Sequence, residues 1–148
     1  MARHLIAALL LAGSPCFAAD RPATPDEAVA MVKKAVALIR QQGGPQAYPQ
    51  ISDQRGSFVL RDLYITVWGR DGVVRAHGLV PQMVGKNLID LKDIDGRTFI
   101  RERMELARTH ATFWQDYQYT HPVSRKIEPK RMYCESLVDS VVCGGVYK

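Results

Sequence analysis

The sequence predicts an α+β domain in which a long N-terminal helix packs on a five-stranded, mainly antiparallel sheet. Three observations predict it. A capping signature opens a stretch of helical period near the N-terminus. Runs of β-branched and aromatic residues, separated by tight-turn signatures, fill the middle and the end. One further helical pattern lies between them. With 148 residues, 47% of them hydrophobic and 24% charged, the composition is that of one ordinary folded domain, neither disordered nor fibrous.

The segment before the first helix has its own pattern. Arg3 and His4 precede the apolar run Leu5 to Ala12, and Ser14-Pro15-Cys16-Phe17-Ala18 follows. A basic start, a short apolar middle and a small-residue exit describe a secretory signal peptide over residues 1–18, cut between Ala18 and Ala19. Cutting there puts Cys16 and Ala18 at the two positions that must be small, whereas a cut one residue later places the bulky Phe17 at one of them. Pro15 stands where a lipoprotein signal wants Gly or Ala, which argues against lipidation of Cys16. The apolar run is far shorter than the roughly 20 residues that span a bilayer, so no transmembrane anchor is expected. The single domain then covers 19–148, a size that buries roughly two-thirds of its unfolded surface, and its expected compartment is periplasmic or otherwise secreted.

Thr24-Pro25-Asp26-Glu27 starts the first helix, with a capping threonine, proline at the first helical position and glutamate where a capping box needs it. Val29, Val32, Val36 and Ile39 recur at helical spacing, and Gly43-Gly44-Pro45 stops the run. Gln46 to Ser57 is polar and aperiodic and is expected to be loop with at most one short helical turn. Leu63 to Trp68 is a strand by its β-branched and aromatic content. Arg70-Asp71-Gly72 turns it back into Val73 to His77. The stretch Gly78 to Leu91, with Pro81 and Gly85, is long enough to cover something. A second helix follows Asp95-Gly96, with Phe99, Ile100, Met104 and Ala107 inward and Glu102, Arg103 and Arg108 outward. Trp114 to Thr120 and a hairpin around Val138-Asp139 complete the sheet.

In an oxidising compartment Cys134 and Cys143 favour a disulfide over two reduced core thiols. With Val138-Asp139 as the loop, residues 134 and 143 fall opposite each other at a non-hydrogen-bonded position, where Cα atoms approach to about 4.5 Å. The formal charge of +5 falls to about +4 without Arg3 and is interspersed with acids, so nucleic acid is not an expected partner. Asp90, Asp93 and Asp95 before Gly96 do not fit a calcium loop, because Leu91 occupies the first ligand position; a cap by Asp95 or a turn built by Asp93 explains them. His77, His110 and His121 lack zinc-ligand spacing, and no serine sits in a nucleophile turn. No enzyme and no cofactor is therefore expected. What remains is Trp114, Tyr117, Tyr119, Lys130, Arg131 and Tyr133. Aromatic walls with one fixed cation and a few donors are the parts of a small carboxylate pocket, although on spacing alone the simpler reading is core aromatics and a solvated lysine. Strand alternation puts Tyr117 and Tyr119 on one face, and separates Lys130 from Tyr133.

The order of short motifs is specific in a way that no single one is. Tyr64 to Trp68, Asp71-Gly72-Val73-Val74, Ala76-His77, Val84-Gly85-Lys86-Asn87-Leu88, Asp90-Leu91-Lys92-Asp93 and Asp95-Gly96 are followed by Trp114, Tyr117, Glu128-Pro129-Lys130, Tyr133 and Gly145-Val146-Tyr147. From about Asp26 to Tyr147 the chain resembles the single Cache domains, type 2. The resemblance implies a PAS-like extracytoplasmic sensor fold that holds a short organic acid between sheet and covering loops, as in the input modules of chemoreceptors and sensor kinases. It carries the pocket onto His77, the Gly78 to Gly85 cover, Trp114, Tyr117, Tyr119 and Lys130, with Tyr64 and Tyr133 beside them. Lys130 is the expected counter-ion and the tyrosines are the expected donors. Two departures stand out. His110-Ala111-Thr112-Phe113 replaces the glycines many relatives carry before the tryptophan, and the sequence ends at Lys148, where receptors continue into a membrane helix. The expected function is a free-standing Cache domain that presents a bound acid to a membrane chemoreceptor or sensor kinase. The alternative is a structural or protein-interaction module of the same fold without a small-molecule ligand.

Overall fold

The computed structural model describes residues 21–148. The expected signal peptide and Cys16 lie outside the described residues.

Helix α1 spans Pro25–Gln42. Its start is fixed reciprocally: the Glu27 N–H donates to Thr24 Oγ1 at 3.2 Å, and the Thr24 N–H donates to the Glu27 carboxylate at 2.8 Å. The chain just before it is also tied down, because the Ala23 N–H donates to Asp62 Oδ1 at 2.8 Å and Arg61 pairs with Glu27. Ala28, Met31, Val32, Ala35, Val36 and Ile39 form the buried stripe. Gly43, at φ 79°, ends the helix. The segment expected to be loop then continues as α2, Gly44–Ile51. Pro45 occupies its first turn and Ala47 and Ile51, one turn apart, are buried, so a short amphipathic face overrides the polar neighbours and the internal Pro49.

The sheet has six strands, not five: β1 Val59–Leu60, β2 Leu63–Gly69, β3 Val74–His77, β4 Thr112–Thr120, β5 Ile127–Ser136 and β6 Ser140–Tyr147. The addition is the two-residue β1, which pairs with the start of β2. Every pairing is antiparallel, in the order β1-β2-β6-β5-β4, with β3 also on β2. The last strand therefore lies in the middle of the sheet. Gly72, at φ 81°, makes the turn between β2 and β3. At the other hairpin the Leu137 N–H donates to the Ser140 carbonyl at 2.8 Å, leaving Val138-Asp139 as the loop. Cys134 faces Cys143 with Cα atoms 4.2 Å apart, and the two are joined by a disulfide.

Each face of the sheet has its own core. On one face α1 and α2 cover Leu63, Ile65, Val67, Tyr133, Val142 and Val146. Helix α1 sits close to β6 because residue 144 is glycine: a Cβ there would stand 3.1 Å from Val32 Cγ2. On the other face α3, Phe99–Thr109, and the covering segment Gly78 to Thr98 enclose Trp68, Val74, Phe113, Met132 and the disulfide. The covering segment contains a 3-10 turn, Pro81–Met83, and is stitched to β3 by the Gly85 N–H donating to Val74 at 2.8 Å and the Val74 N–H donating to Lys86 at 3.0 Å. Asp93 builds its last turn, its Oδ1 accepting from the Asp95 and Arg97 N–H groups at 3.0 and 2.9 Å; Thr98, not Asp95, precedes α3. Among the described residues no helix is long and apolar enough to cross a membrane.

Candidate functional site

Opposite residues on paired strands project to the same side. Tyr117, Lys130 and Tyr147 lie in register across β4, β5 and β6, so they form a row on the face beneath the covering segment. Tyr64 on β2 and His77 on β3 join them there. Lys130 is 1% exposed, and its Nζ donates to the Tyr64 hydroxyl at 2.9 Å and the Tyr147 hydroxyl at 3.3 Å. It also lies 4.1 Å from the centroid of the Tyr64 ring and 5.7 Å from that of Tyr119. Tyr147 passes the chain on, donating its hydroxyl to the Thr120 carbonyl at 2.9 Å. The lysine has room because residue 145 is glycine: a Cβ there would stand 2.9 Å from Lys130 Cε.

A second cation lies under the same segment. Arg103, expected to point outward, is fully buried. Its Nε donates to Gln115 Oε1 at 3.0 Å, and Gln115 in turn donates to the Phe99 carbonyl at 2.8 Å. The guanidinium faces the rings of Trp68, Phe99 and Tyr117 at 5.3 to 5.6 Å, while both terminal nitrogens lack a hydrogen-bond partner. Positions 99, 100, 103, 104 and 107 form one helical stripe, so spacing alone places Arg103 inward; its charge argued for the outside. Among the described residues neither Lys130 nor Arg103 is ion-paired with a carboxylate. Burial, with Arg103 adding to it and Asp62 opposing, pushes the Lys130 ammonium down to about 7. Burial raises the phenols of Tyr64, Tyr117, Tyr119 and Tyr147, Tyr117 to about 12, so they remain protonated donors.

His77 is buried and stacks on Tyr64, with centroids 5.1 Å apart. Its Nδ1 accepts from the Leu79 and Val80 N–H groups at 3.2 and 2.9 Å, which leaves the ring proton on Nε2. Burial, and then Lys130, depress it to about 4, so the imidazole is neutral at neutral pH. Tyr64, His77 and Tyr119 line both a cleft of about 390 Å³ that opens to solvent and a smaller, more enclosed void of about 20 Å³ bounded by Trp68, Phe99, Tyr117 and Met132. These residues offer hydroxyls and an imidazole N–H, backed by two cations. No three His, Cys, Asp or Glu side chains gather as metal ligands among the described residues.

Of the residues singled out in the sequence, the structure brings together Tyr64, His77, Tyr117, Tyr119 and Lys130. It does not bring Trp114 and Tyr133 to them. Those two pair across β4 and β5 on the α1 face, centroids 5.1 Å apart, with Arg131 over the indole at 5.0 Å. Strand parity is the reason, since 114 and 117 lie an odd number of residues apart. Sequence reasoning missed Arg103, Gln115 and Tyr147 as members of the network.

The family described as Single Cache domain 2 matches residues 18–147. The chain belongs to that family. Solved structures of similar fold include a methyl-accepting chemotaxis protein from Vibrio parahaemolyticus RIMD 2210633, with a TM-score of 0.68 and 23% identity over 82% of this chain and 86% of that one. A second is described as the structural basis for carboxylic acid recognition by a Cache chemosensory domain, with a TM-score of 0.71 and 18% identity over 82% and 91% of the two chains. A third, a periplasmic sensor domain of a chemotaxis protein, has a TM-score of 0.64 and 20% identity over 82% and 88%. No curated protein matches the sequence. The chain is thus a Cache domain with the fold of chemosensory input modules, and the Lys130 and Arg103 network lies on the face of its sheet beneath the covering segment.

Proposed function

We propose that this Cache domain binds a small organic acid between the sheet and the covering segment, and serves as an exported sensory or ligand-presenting module. One observation carries the reading. Two buried cations, Lys130 and Arg103, stand under one cover without a carboxylate partner, and both terminal nitrogens of the guanidinium are unsatisfied. A buried unpaired charge costs several kcal/mol, and an anion held by the Tyr64 and Tyr119 hydroxyls and His77 Nε2 offsets that cost. Carboxylic acid recognition by a structural neighbour of the same fold supports the chemical class. Residues 1–18 fit a signal for export to the periplasm, and a membrane chemoreceptor or sensor kinase fits as the partner.

The test is a thermal-shift screen of the purified protein against short mono- and dicarboxylates, amino acids, polyamines and purines. A bound acid in excess of its Kd raises the melting temperature, by RT ln(1 + [L]/Kd) in free energy. Shifts confined to acids support the reading, and no shift with any acid defeats it. The small volume of the inner void favours the other reading, a structural module without a ligand, and that second outcome is the one it requires.

A further inference from the structure

Resting on the reading that the site takes an organic acid, we propose that the acid is a monocarboxylate with an apolar tail of about three to six carbons, its carboxylate against Tyr64, His77 and Tyr119 and its tail in the open cleft. The cleft and the smaller inner void have Tyr64, His77, Tyr119, Met83 and Leu91 in common, and the first three are their shared polar groups, so an anion resting on those leaves the rest of the ligand in the cleft of about 390 Å³. Most of the cleft wall is hydrocarbon, from Leu79, Val80, Met83, Leu91, Ile94 and Ile127, with Gln118 and Thr120 as its uncharged polar members. Leu91, Ile94 and Ile127 are also three of the seven large apolar side chains that the described surface leaves exposed, and all three gather at this mouth.

The charged groups at the cleft do not contradict an apolar tail. Asp93 is engaged by backbone donors, Oδ1 by Asp95 and Arg97, and Oδ2 by Gln118 at 3.4 Å. Lys92 and Arg125 are exposed on the rim, where they attract anions to the entrance without forming the interior. They also define the competing ligand, a dicarboxylate with its far end on the rim cations.

Calorimetric and chemical-shift titrations of the purified protein with acetate, butyrate, hexanoate and adipate separate these ligands. Burial of a methylene predicts that Kd falls about fourfold per added carbon from acetate to hexanoate, with adipate weaker than hexanoate. Equal affinity for acetate and hexanoate, or tighter binding of adipate, overturns the tail assignment and leaves acid binding intact. Absence of binding by all four overturns acid binding itself. Ile94→Asn and Ile127→Asn alter exposed rim positions and do not threaten the fold. Each is expected to weaken hexanoate several-fold more than acetate, and equal weakening of the two counts against the proposal.

Discussion

Burying the Lys130 ammonium carries a stability cost that its bonds to the Tyr64 and Tyr147 hydroxyls offset only in part. With its ammonium pushed down to about 7 in the ligand-free protein, against an ordinary value of 10.5, the folded state holds fewer protons than the unfolded one between those limits. Stability of the empty protein therefore rises with pH across that window. Binding runs the other way. A carboxylate nearby raises the lysine again, so the complex takes up a proton, and affinity falls as pH climbs above about 7. Calorimetry at pH 8 in two buffers of different ionisation enthalpy reads that uptake directly; equal heats in the two buffers would remove Lys130 from the site. Lys130→Met keeps the hydrocarbon stem and deletes the charge. It is expected to raise the melting temperature of the empty protein, since replacing a buried unpaired charge with a packed apolar group stabilises. It is also expected to weaken acid binding by about 1.5–3 kcal/mol, the worth of a charge-assisted hydrogen bond. Arg103→Leu carries the same pair of expectations, and a variant that binds acid normally contradicts the role given to the guanidinium.

At the scale of elements, β6 serves both faces through adjacent glycines. Gly144 lets α1 approach, and Gly145 opens the space for Lys130 on the opposite side. Gly145→Ala would meet the far end of the lysine and the sulfur of Met132 at 2.9 Å, both flexible, and the Arg131 carbonyl at 3.1 Å, which needs a shift of only a few tenths of an ångström, so the strand is expected to fold while the ammonium is displaced. Weaker acid binding with a near-normal melting temperature is the expected result, and undiminished binding refutes the spacing argument. The hairpin beside it is closed by the disulfide, whose span of nine residues places its contribution at the lower end of ~2–4 kcal/mol. What was legible in the sequence follows from how local each signal is. The capping box of α1 and the Cys134/Cys143 register are complete within about ten residues, and both are present. Helix α2 was hidden because glycine and two prolines dominate eight residues whose apolar face consists of Ala47 and Ile51. Trp114 and Tyr133 were separable from Tyr117 and Lys130 by alternation alone. Whether Lys130 shares the Tyr117 face depended on the β4 to β5 register across residues 121–126, which no local pattern specifies.

The whole molecule is two cores on the two sides of one sheet, and the proposed ligand touches only one of them. The inner void of about 20 Å³ is on the scale of a single water rather than of a carboxylate. An acid that reaches the Arg103 guanidinium therefore has to lift the covering segment, and its differential affinity for the lifted form is what converts occupancy into a shape change. The bonds a lift must break include Gly85 and Lys86 to Val74, the Leu88 N–H to the Gly72 carbonyl at 3.1 Å, Leu79 and Val80 to His77, and Arg97 to the Asp116 carbonyl at 2.8 Å. The far end of the network is Tyr147, which bonds Lys130 and also packs, tilted, against His121 with centroids 4.3 Å apart, beside the Asp62 that anchors Ala23 ahead of α1. On the proposed reading, ligand contact at Lys130 would be felt where α1 begins and β6 ends. Amide hydrogen exchange with and without a saturating acid tests this geometry. Changes are expected in the covering segment from Gly78 to Thr98 and at the Lys148 amide, which donates to the Pro129 carbonyl at 3.0 Å, while the middle of α1 stays as protected as before. Tyr147→Phe keeps the ring and removes the hydroxyl, so it is expected to retain the change in the covering segment and lose the one at Lys148. Uniform protection throughout the chain would mean that the acid stabilises the fold without moving the cover.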